Sequence, residues 1–88
     1  LTGLIVTGVT FQDNNSNNDS LGGDIVVRAD SSVINSNTFS GGGALGSCIR
    51  LLSGADDNIA TINNMSKSTC STKIADGGVG NITTGNLL

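Results

Sequence analysis

Val33-Ile-Asn-Ser-Asn-Thr-Phe39 and Ile59-Ala-Thr-Ile-Asn-Asn-Met65 are two copies of one short pattern, and this pattern decides the fold. Each copy begins with a β-branched residue, has Asn two positions before its end, and ends on a large apolar residue. Residues 5–11 and 82–88 align with them, so that the copies recur every 28, 26 and 23 residues. Repeats of this length, each too small to bury its own apolar face, are typical of a solenoid of stacked coils.

A second set of apolar residues repeats with the first. Ile25, Ile49 and Ile74 precede the later three copies at spacings of 24 and 25 residues. The apolar runs are rich in Val, Ile and Thr and are too short for helices, whereas the segments between them are rich in Gly, Asn, Asp and Ser, which favour turns. We therefore expect an all-β chain in which strands and turns alternate.

Composition limits the class of protein. The 88 residues form one domain at most, divided into coils at about 1–23, 24–48, 49–72 and 73–88. The net charge of −3 and the two aromatic residues argue against nucleic-acid binding, and no apolar run approaches the roughly 20 residues needed to span a bilayer. Since the chain begins without Met and its end coils read as unfinished, we expect a segment of a longer polypeptide.

The repeat resembles a known family. The segments Asp24-Ile-Val-Val-Arg-Ala-Asp-Ser-Ser-Val-Ile-Asn-Ser-Asn-Thr-Phe39 and Gly54-Ala-Asp-Asp-Asn-Ile-Ala-Thr-Ile-Asn-Asn-Met65 are similar to coils of right-handed parallel β-helices of the pectate-lyase type. That family includes polysaccharide lyases and hydrolases, phage tailspikes and bacterial surface adhesins. The resemblance covers the whole chain and implies a right-handed, single-stranded parallel β-helix of about four coils; it says little about function, because the coil pattern encodes stacking rather than chemistry.

Stacking in register places like residues above like residues. We expect two buried ladders, each residue contributing on the order of 1.5 to 3 kcal/mol. The first comprises Ile5, Val33, Ile59 and Ile82, and the second comprises Phe11, Phe39, Met65 and Leu88. The repeated asparagines Asn37, Asn63 and Asn86 should lie at a bend and bond through their amides to the next coil, a structural role rather than a ligand-binding one.

The catalytic motifs of the family's enzymes are mostly absent from the sequence. Pectin hydrolases of this type combine an Asp-Asp pair with Asn-x-Asp and Gly-His-Gly, but here Asp56-Asp57 stands alone and the chain has no His. Asp56-Asp57 aligns with Asp30-Ser31 and Gly77-Gly78, so we interpret it as a solvated turn. We expect no catalytic, metal or cofactor site in this segment, although a longer parent chain could be a glycan-degrading enzyme.

One mixed polar face is a candidate for glycan contact. Asp24, Arg28, Arg50 and Leu52 fall on outward positions of the strands that contain Ile25 and Ile49. Their hydrogen-bonding groups could hold a sugar, but the aromatic platform that sugar rings usually favour is missing. An ordinary solvated sheet is the competing and preferred interpretation.

The sequence positions of the two cysteines argue against a disulfide between them. Cys48 immediately precedes Ile49, whereas Cys70 lies four residues before Ile74. In extended chain this offset separates them by roughly 10 Å, beyond the reach of a disulfide. Two reduced, packed thiols are therefore expected, and a disulfide would require the intervening turn to fold back.

Three functions remain open. The first is a structural or receptor-binding segment of a phage tail fibre or tailspike that contacts cell-surface glycan. The second is part of a bacterial surface adhesin or autotransporter passenger, because Phe11-Gln-Asp-Asn14 and Gly42-Gly-Ala-Leu45 are similar to motifs of polymorphic outer-membrane adhesins. The third is a set of non-catalytic coils of a polysaccharide lyase or hydrolase. The expected partners are flanking coils, identical chains as in a homotrimer, and cell-surface polysaccharide; the expected location is a virion tail or the cell surface.

Overall fold

The structure, a computed structural model, describes residues 4–12, 23–41 and 46–88. Within these ranges the chain forms nine short strands and no helix. The strands are β1 (Ile5–Thr7), β2 (Thr10–Gln12), β3 (Gly23–Val27), β4 (Val33–Asn35), β5 (Thr38–Gly41), β6 (Ser47–Leu51), β7 (Ile59–Thr61), β8 (Asn64–Ser68) and β9 (Thr72–Asp76). The prediction of an all-β chain is confirmed.

The nine strands pair into three parallel sheets. Sheet 1 is β1-β4-β7, sheet 2 is β2-β5-β8 and sheet 3 is β3-β6-β9. Neighbours in a sheet are three strands apart in the chain, so the chain passes once through all three sheets between one strand and its sheet neighbour. The predicted register is also found: Ile25 pairs with Ile49, which pairs with Ile74. Bridges from Ile59 to Ile82 and from Asn64 to Leu87 continue sheets 1 and 2 into the last repeat.

A recurrent left-handed bend separates sheet 1 from sheet 2. The bend residues are Gly8 (φ 68°), Ser36 (φ 57°), Ile62 (φ 59°) and Gly85 (φ 77°). They follow one another at the spacing of the repeat. Each of the seven-residue segments at 5–11, 33–39 and 59–65 therefore contains two strands joined by a bend.

This bend corrects one predicted ladder. Ile5, Val33 and Ile59 do stack in register, as expected, but Ile5 is 70% and Ile59 39% exposed. The adjacent residues, Ile34 and Ala60, are the ones that face the core, both at 0% exposure. Side chains alternate along a strand, and the bend residue interrupts the alternation. The first and last residues of the seven-residue pattern consequently point to opposite sides of the chain.

The second predicted ladder lies in the core for most of its length. Phe39 and Met65 are fully buried, and Phe11 packs on Phe39 with ring centroids 4.9 Å apart and planes 11° apart. Leu88 occupies the register position after the Asn64–Leu87 bridge but is 67% exposed, so its predicted burial is wrong. The other buried apolar residues are Ile25, Val27, Ala29, Ile34, Cys48, Ile49, Leu51, Ala55 and Ala60.

The predicted asparagine ladder is present at the bend. Asn63 is 1% exposed, and its Oδ1 accepts from the backbone N–H of Asn37 (3.1 Å) and from the Asn37 side chain (3.0 Å). Its Nδ2 donates to the carbonyl of Ile34 (3.0 Å) and to Oδ1 of Asn86 (3.0 Å). Each amide thus satisfies backbone groups of the previous repeat, and buried backbone groups need such partners. Asn37, Asn63 and Asn86 therefore form a row of side chains that bonds each repeat to the next.

A second ladder was not predicted. Asn58 is fully buried, and its Oδ1 accepts from the N–H of Ser32 at 2.8 Å. Asn81 repeats the arrangement one repeat later, accepting from the N–H of Asn58 at 2.7 Å. The sequence signal was Asn directly before Ile59 and Ile82, but Ser32 breaks the column.

Candidate functional site

The outer face of sheet 3 contains the residues proposed for glycan contact. Pairing of Ile25 with Ile49 and Ile74 aligns Asp24, Cys48 and Lys73 in one column, in which Cys48 is buried. Val26, Arg50 and Ala75 pair directly in the next column. Leu52 follows at the third level, because its N–H bonds to the carbonyl of Val27 (3.0 Å), the residue before Arg28. The structure therefore places the four predicted residues on one side of the sheet, at successive levels.

The face has mixed chemistry. Arg28 is exposed, and Asp24, Arg50 and Leu52 are half-buried. Val26, 42% exposed, lies between Asp24 and Arg28 along β3 and adds an apolar patch. With Lys73, this side of sheet 3 holds three of the four cationic residues of a chain whose net charge is −3. The concentration of cations favours an anionic or strongly hydrogen-bonding ligand.

Asp24 supplies the carboxylate among the four residues proposed for glycan contact. Burial raises the pKa of the Asp24 carboxyl above its ordinary value, because desolvation disfavours the charged form. A carboxyl with this shift is more easily protonated on approach of an acidic ligand. It can then donate a hydrogen bond as well as accept one.

A disulfide closes one end of the face. Cys48 and Cys70 are bonded, with Cα atoms 5.7 Å apart, so the expectation of two reduced thiols is wrong. The expected separation assumed that the chain is extended from residue 70 to residue 74. Instead β9 begins at Thr72, and Ser71 Oγ donates to the carbonyl of Gly46 at 2.9 Å, which turns the preceding residues back toward β6.

Lys73 secures the same turn. Its Nζ donates to the carbonyl of Ser68 (2.9 Å) and to Ser68 Oγ (2.8 Å), while Ser68 Oγ donates to the carbonyl of Met65 (2.7 Å). The link between Lys73 and Ser68 was not predicted from the sequence. The lysine therefore orders the border of the face.

The aspartate pair at Asp56-Asp57 is part of a turn, as expected. Asp57 is exposed with φ 57°, and Asp56 Oδ1 accepts from the N–H of Val79 at 2.8 Å. Its alignment with Asp30 is as predicted, since the N–H of Asp56 bonds to Asp30 Oδ1. On the other side Asp56 lies next to Val79, two residues beyond the predicted Gly77. The carboxylate of Asp56 therefore bonds its own repeat to the next one.

Features of a catalytic centre are not found in the described residues. In those ranges no concave pocket is present, and no three His, Cys, Asp or Glu side chains gather as metal ligands. Residues 13 and 14 of Phe11-Gln-Asp-Asn14, and the whole of Gly42-Gly-Ala-Leu45, lie outside the described residues. The face of sheet 3 is an open surface, suited to contact with an extended ligand rather than to enclosure of a small one.

No family model, curated protein or solved structure matches the chain. Among the described residues, no helix is long and apolar enough to cross a membrane.

Proposed function

We propose that the chain is a segment of a right-handed parallel β-helix that contacts cell-surface glycan through the outer face of sheet 3, within a phage tail fibre or tailspike. The parallel sheets, with sheet neighbours three strands apart, support the β-helix, and crossover connections between parallel strands are right-handed in about 98% of cases. Flanking coils or identical chains, as in a homotrimer, would extend the structure.

The observation that carries the glycan proposal is the placement of Arg28 and Arg50 on one open face. A guanidinium presents donors in a planar fork that matches carboxylate groups and sugar hydroxyls. Half-buried Asp24 adds an acceptor, and Leu52 and Val26 add apolar contact. The preferred ligand is an acidic polysaccharide, because cations outnumber carboxylates in this set.

A bacterial surface adhesin is the second candidate, and the disulfide is the observation that favours it. Disulfides form in oxidising compartments and persist on secreted and surface proteins. The Cys48–Cys70 bond therefore supports a location outside the reducing cytosol. The glycan-binding face is the same under both proposals.

Binding to immobilised polysaccharides tests the function. Wild-type chain, Arg28→Ala and Arg50→Ala would be compared on an acidic and a neutral polysaccharide, and Lys67→Ala, which removes an exposed cation from sheet 2, is the control. We expect retention on the acidic polymer that falls with either arginine variant and with added salt, but not with the control. Equal retention of all four proteins, or none by wild type, would overturn the proposal.

A further inference from the structure

The second asparagine ladder is interrupted at Ser32, and two buried polar atoms lie at the interruption. Ser32 is 1% and Asn58 0% exposed, and the Ser32 N–H donates to Asn58 Oδ1 at 2.8 Å. The remaining polar side-chain atoms of this pair are Ser32 Oγ and Asn58 Nδ2. Both atoms are buried, and neither has a hydrogen-bond partner in the part of the chain that the structure describes.

Asn58 differs in this respect from the other asparagines of the two ladders. Asn81, its neighbour in the next repeat, donates from Nδ2 to the carbonyl of Ala55 (2.9 Å) and to Asp76 Oδ1 (2.7 Å). In the row at the bend, Nδ2 likewise donates two hydrogen bonds in each of Asn37, Asn63 and Asn86. The side-chain amide of Asn58 is therefore the exception in an otherwise fully bonded pattern.

A buried amide without an acceptor destabilises the folded chain. Its donor gives up hydrogen bonds to solvent on folding, and no protein group replaces them. Asn58 is at 0% exposure, so its Nδ2 cannot reach bulk solvent. Buried polar groups that the protein leaves unpaired are commonly satisfied by an ordered water molecule, which makes about three hydrogen bonds.

The serine side chain provides room for such a molecule. Asparagine occupies the equivalent position in the next two repeats, at Asn58 and Asn81. Ser32 lacks the carboxamide group that fills the column there. A carboxamide is comparable in size to one water molecule, whose share of the liquid volume is about 30 Å³.

The two unpaired atoms also favour water over an ion. Asn58 Nδ2 can only donate, whereas Ser32 Oγ can donate or accept. A cation would face the donor hydrogens of the amide, and an anion would carry an unbalanced charge into a buried site. Water accepts from the amide and donates to the hydroxyl without bringing in a charge.

We propose that one buried water molecule bridges Asn58 Nδ2 and Ser32 Oγ, and takes the place of the asparagine side chain that the second ladder lacks at Ser32. The water accepts a hydrogen bond from Asn58 and donates one to Ser32. This binding site is independent of glycan contact, because both residues are buried inside the stack of repeats.

The carbonyl of Ala29 is the competing partner of the Asn58 amide. Asn81 donates to the carbonyl of Ala55, three residues before Asn58, and Ala29 lies three residues before Ser32. The structure shows no such bond from Asn58 Nδ2. A bond to Ala29 would in any case leave the Ser32 hydroxyl unpaired, whereas a bridging water satisfies both side chains.

Oxygen-17 magnetic relaxation dispersion tests the proposal on the full chain, because it counts water molecules that stay bound for longer than the protein takes to tumble. The variant is Ser32→Asn, whose carboxamide would occupy the place of the water. Ser53→Asn makes the same change at an exposed serine and is the matched control. Circular dichroism melts establish that each variant is folded. We expect one long-lived water fewer in Ser32→Asn than in wild type, and no change in the control.

Ser32→Ala gives a second readout that does not require Ser32→Asn to fold. If the water is bound, the loss of the hydroxyl removes one of its partners, and the unfolding temperature should fall. If no water is bound, the variant removes an unpaired buried hydroxyl, and the unfolding temperature should stay the same or rise. That second result would overturn the proposal, as would equal water counts in wild type and folded Ser32→Asn. A scalar coupling across a hydrogen bond from the Asn58 side chain to the Ala29 carbonyl would assign the amide to the protein instead.

Discussion

Asn37 donates a side-chain hydrogen bond of 3.0 Å to Asn63, one repeat further along the chain. Asn63 makes the equivalent bond to Asn86 at the same distance. The amides thus form a continuous row beside the core, and every member also bonds to backbone groups of the preceding repeat. Removal of one member leaves groups on both of its neighbours without partners.

The first prediction concerns this row. Asn63→Ala should lower the free energy of unfolding by about 2 to 4 kcal/mol, because buried donors and acceptors of Asn37 and Ile34 lose their partner. Asn64→Ala is the control, since the Asn64 side chain accepts local hydrogen bonds from Ser66. Urea denaturation measures both. Equal losses in the two variants would show that the row does not stabilise the fold.

The second prediction tests which residues face inward. Phe39→Ala should lower stability by about 3 to 5 kcal/mol, because the ring is fully buried and stacks on Phe11. Ile5→Ala should cost about 1 kcal/mol or less, since that side chain is largely exposed. Thermal melts of the two variants check the order. A larger loss for Ile5→Ala would contradict the structure.

The third prediction is stabilising. Ile62 adopts φ 59° at a bend where two other repeats have glycine, and a β-branched residue is strained in this region. Ile62→Gly should raise stability by up to about 1 kcal/mol. Glycine removes the cost of about 1 to 2 kcal/mol that the left-handed conformation imposes on isoleucine. Part of this gain is lost, because glycine loses more backbone entropy on folding. Ile62→Ala removes the same exposed side chain but keeps a Cβ, and should show no such gain.

The fourth prediction concerns the disulfide. Cys48 and Cys70 enclose a loop of 22 residues in sequence separation, and a cross-link of this span contributes about 3 kcal/mol by restricting the unfolded chain. Reduction should therefore lower the unfolding midpoint of wild type. The Cys48→Ala/Cys70→Ala double variant serves as the control and should be insensitive to reductant. Insensitivity of wild type to reductant, together with thiol labelling of the unfolded protein before any reductant is added, would argue against the bond.

The fifth prediction is a pH dependence. Because the Asp24 pKa is higher in the folded than in the unfolded chain, the folded chain binds more protons at intermediate pH. Stability should accordingly decrease as pH rises from the ordinary aspartate value of 3.8 through the raised value, and then level off. Asp24→Asn should abolish this part of the pH profile in melts between about pH 3 and pH 7. A profile of opposite slope in the difference between the two proteins would contradict the assignment.

Columns could be read from the sequence because stacking in register repeats a residue type at a fixed position. This holds for Ile25, Ile49 and Ile74 and for the asparagine row. The direction of a side chain could not be read in the same way. It depends on the bend at Ile62, and isoleucine gives no turn signal, so the exposure of Ile59 was missed.

The candidate site shows a similar division. The outward positions of Asp24 and Arg50 follow from strand alternation and were predictable from Ile25 and Ile49. The border of the face was not predictable from the sequence, because the turn formed by Ser68 and Lys73 depends on hydrogen bonds between residues five apart. The same turn brings Cys70 to Cys48, which extended-chain geometry had excluded.

The position of the Cys48–Cys70 bond also has a mechanical consequence. Tension applied between the two ends of the chain would pass through the sulfur atoms, so β7 and β8 would lie outside the loaded path. Stretching the oxidised chain should release about 75 Å less contour length than stretching the reduced chain, given about 3.4 Å per extended residue. A protein held on a surface under flow would keep these two strands shielded from force, even after the strands outside the disulfide loop had been pulled out.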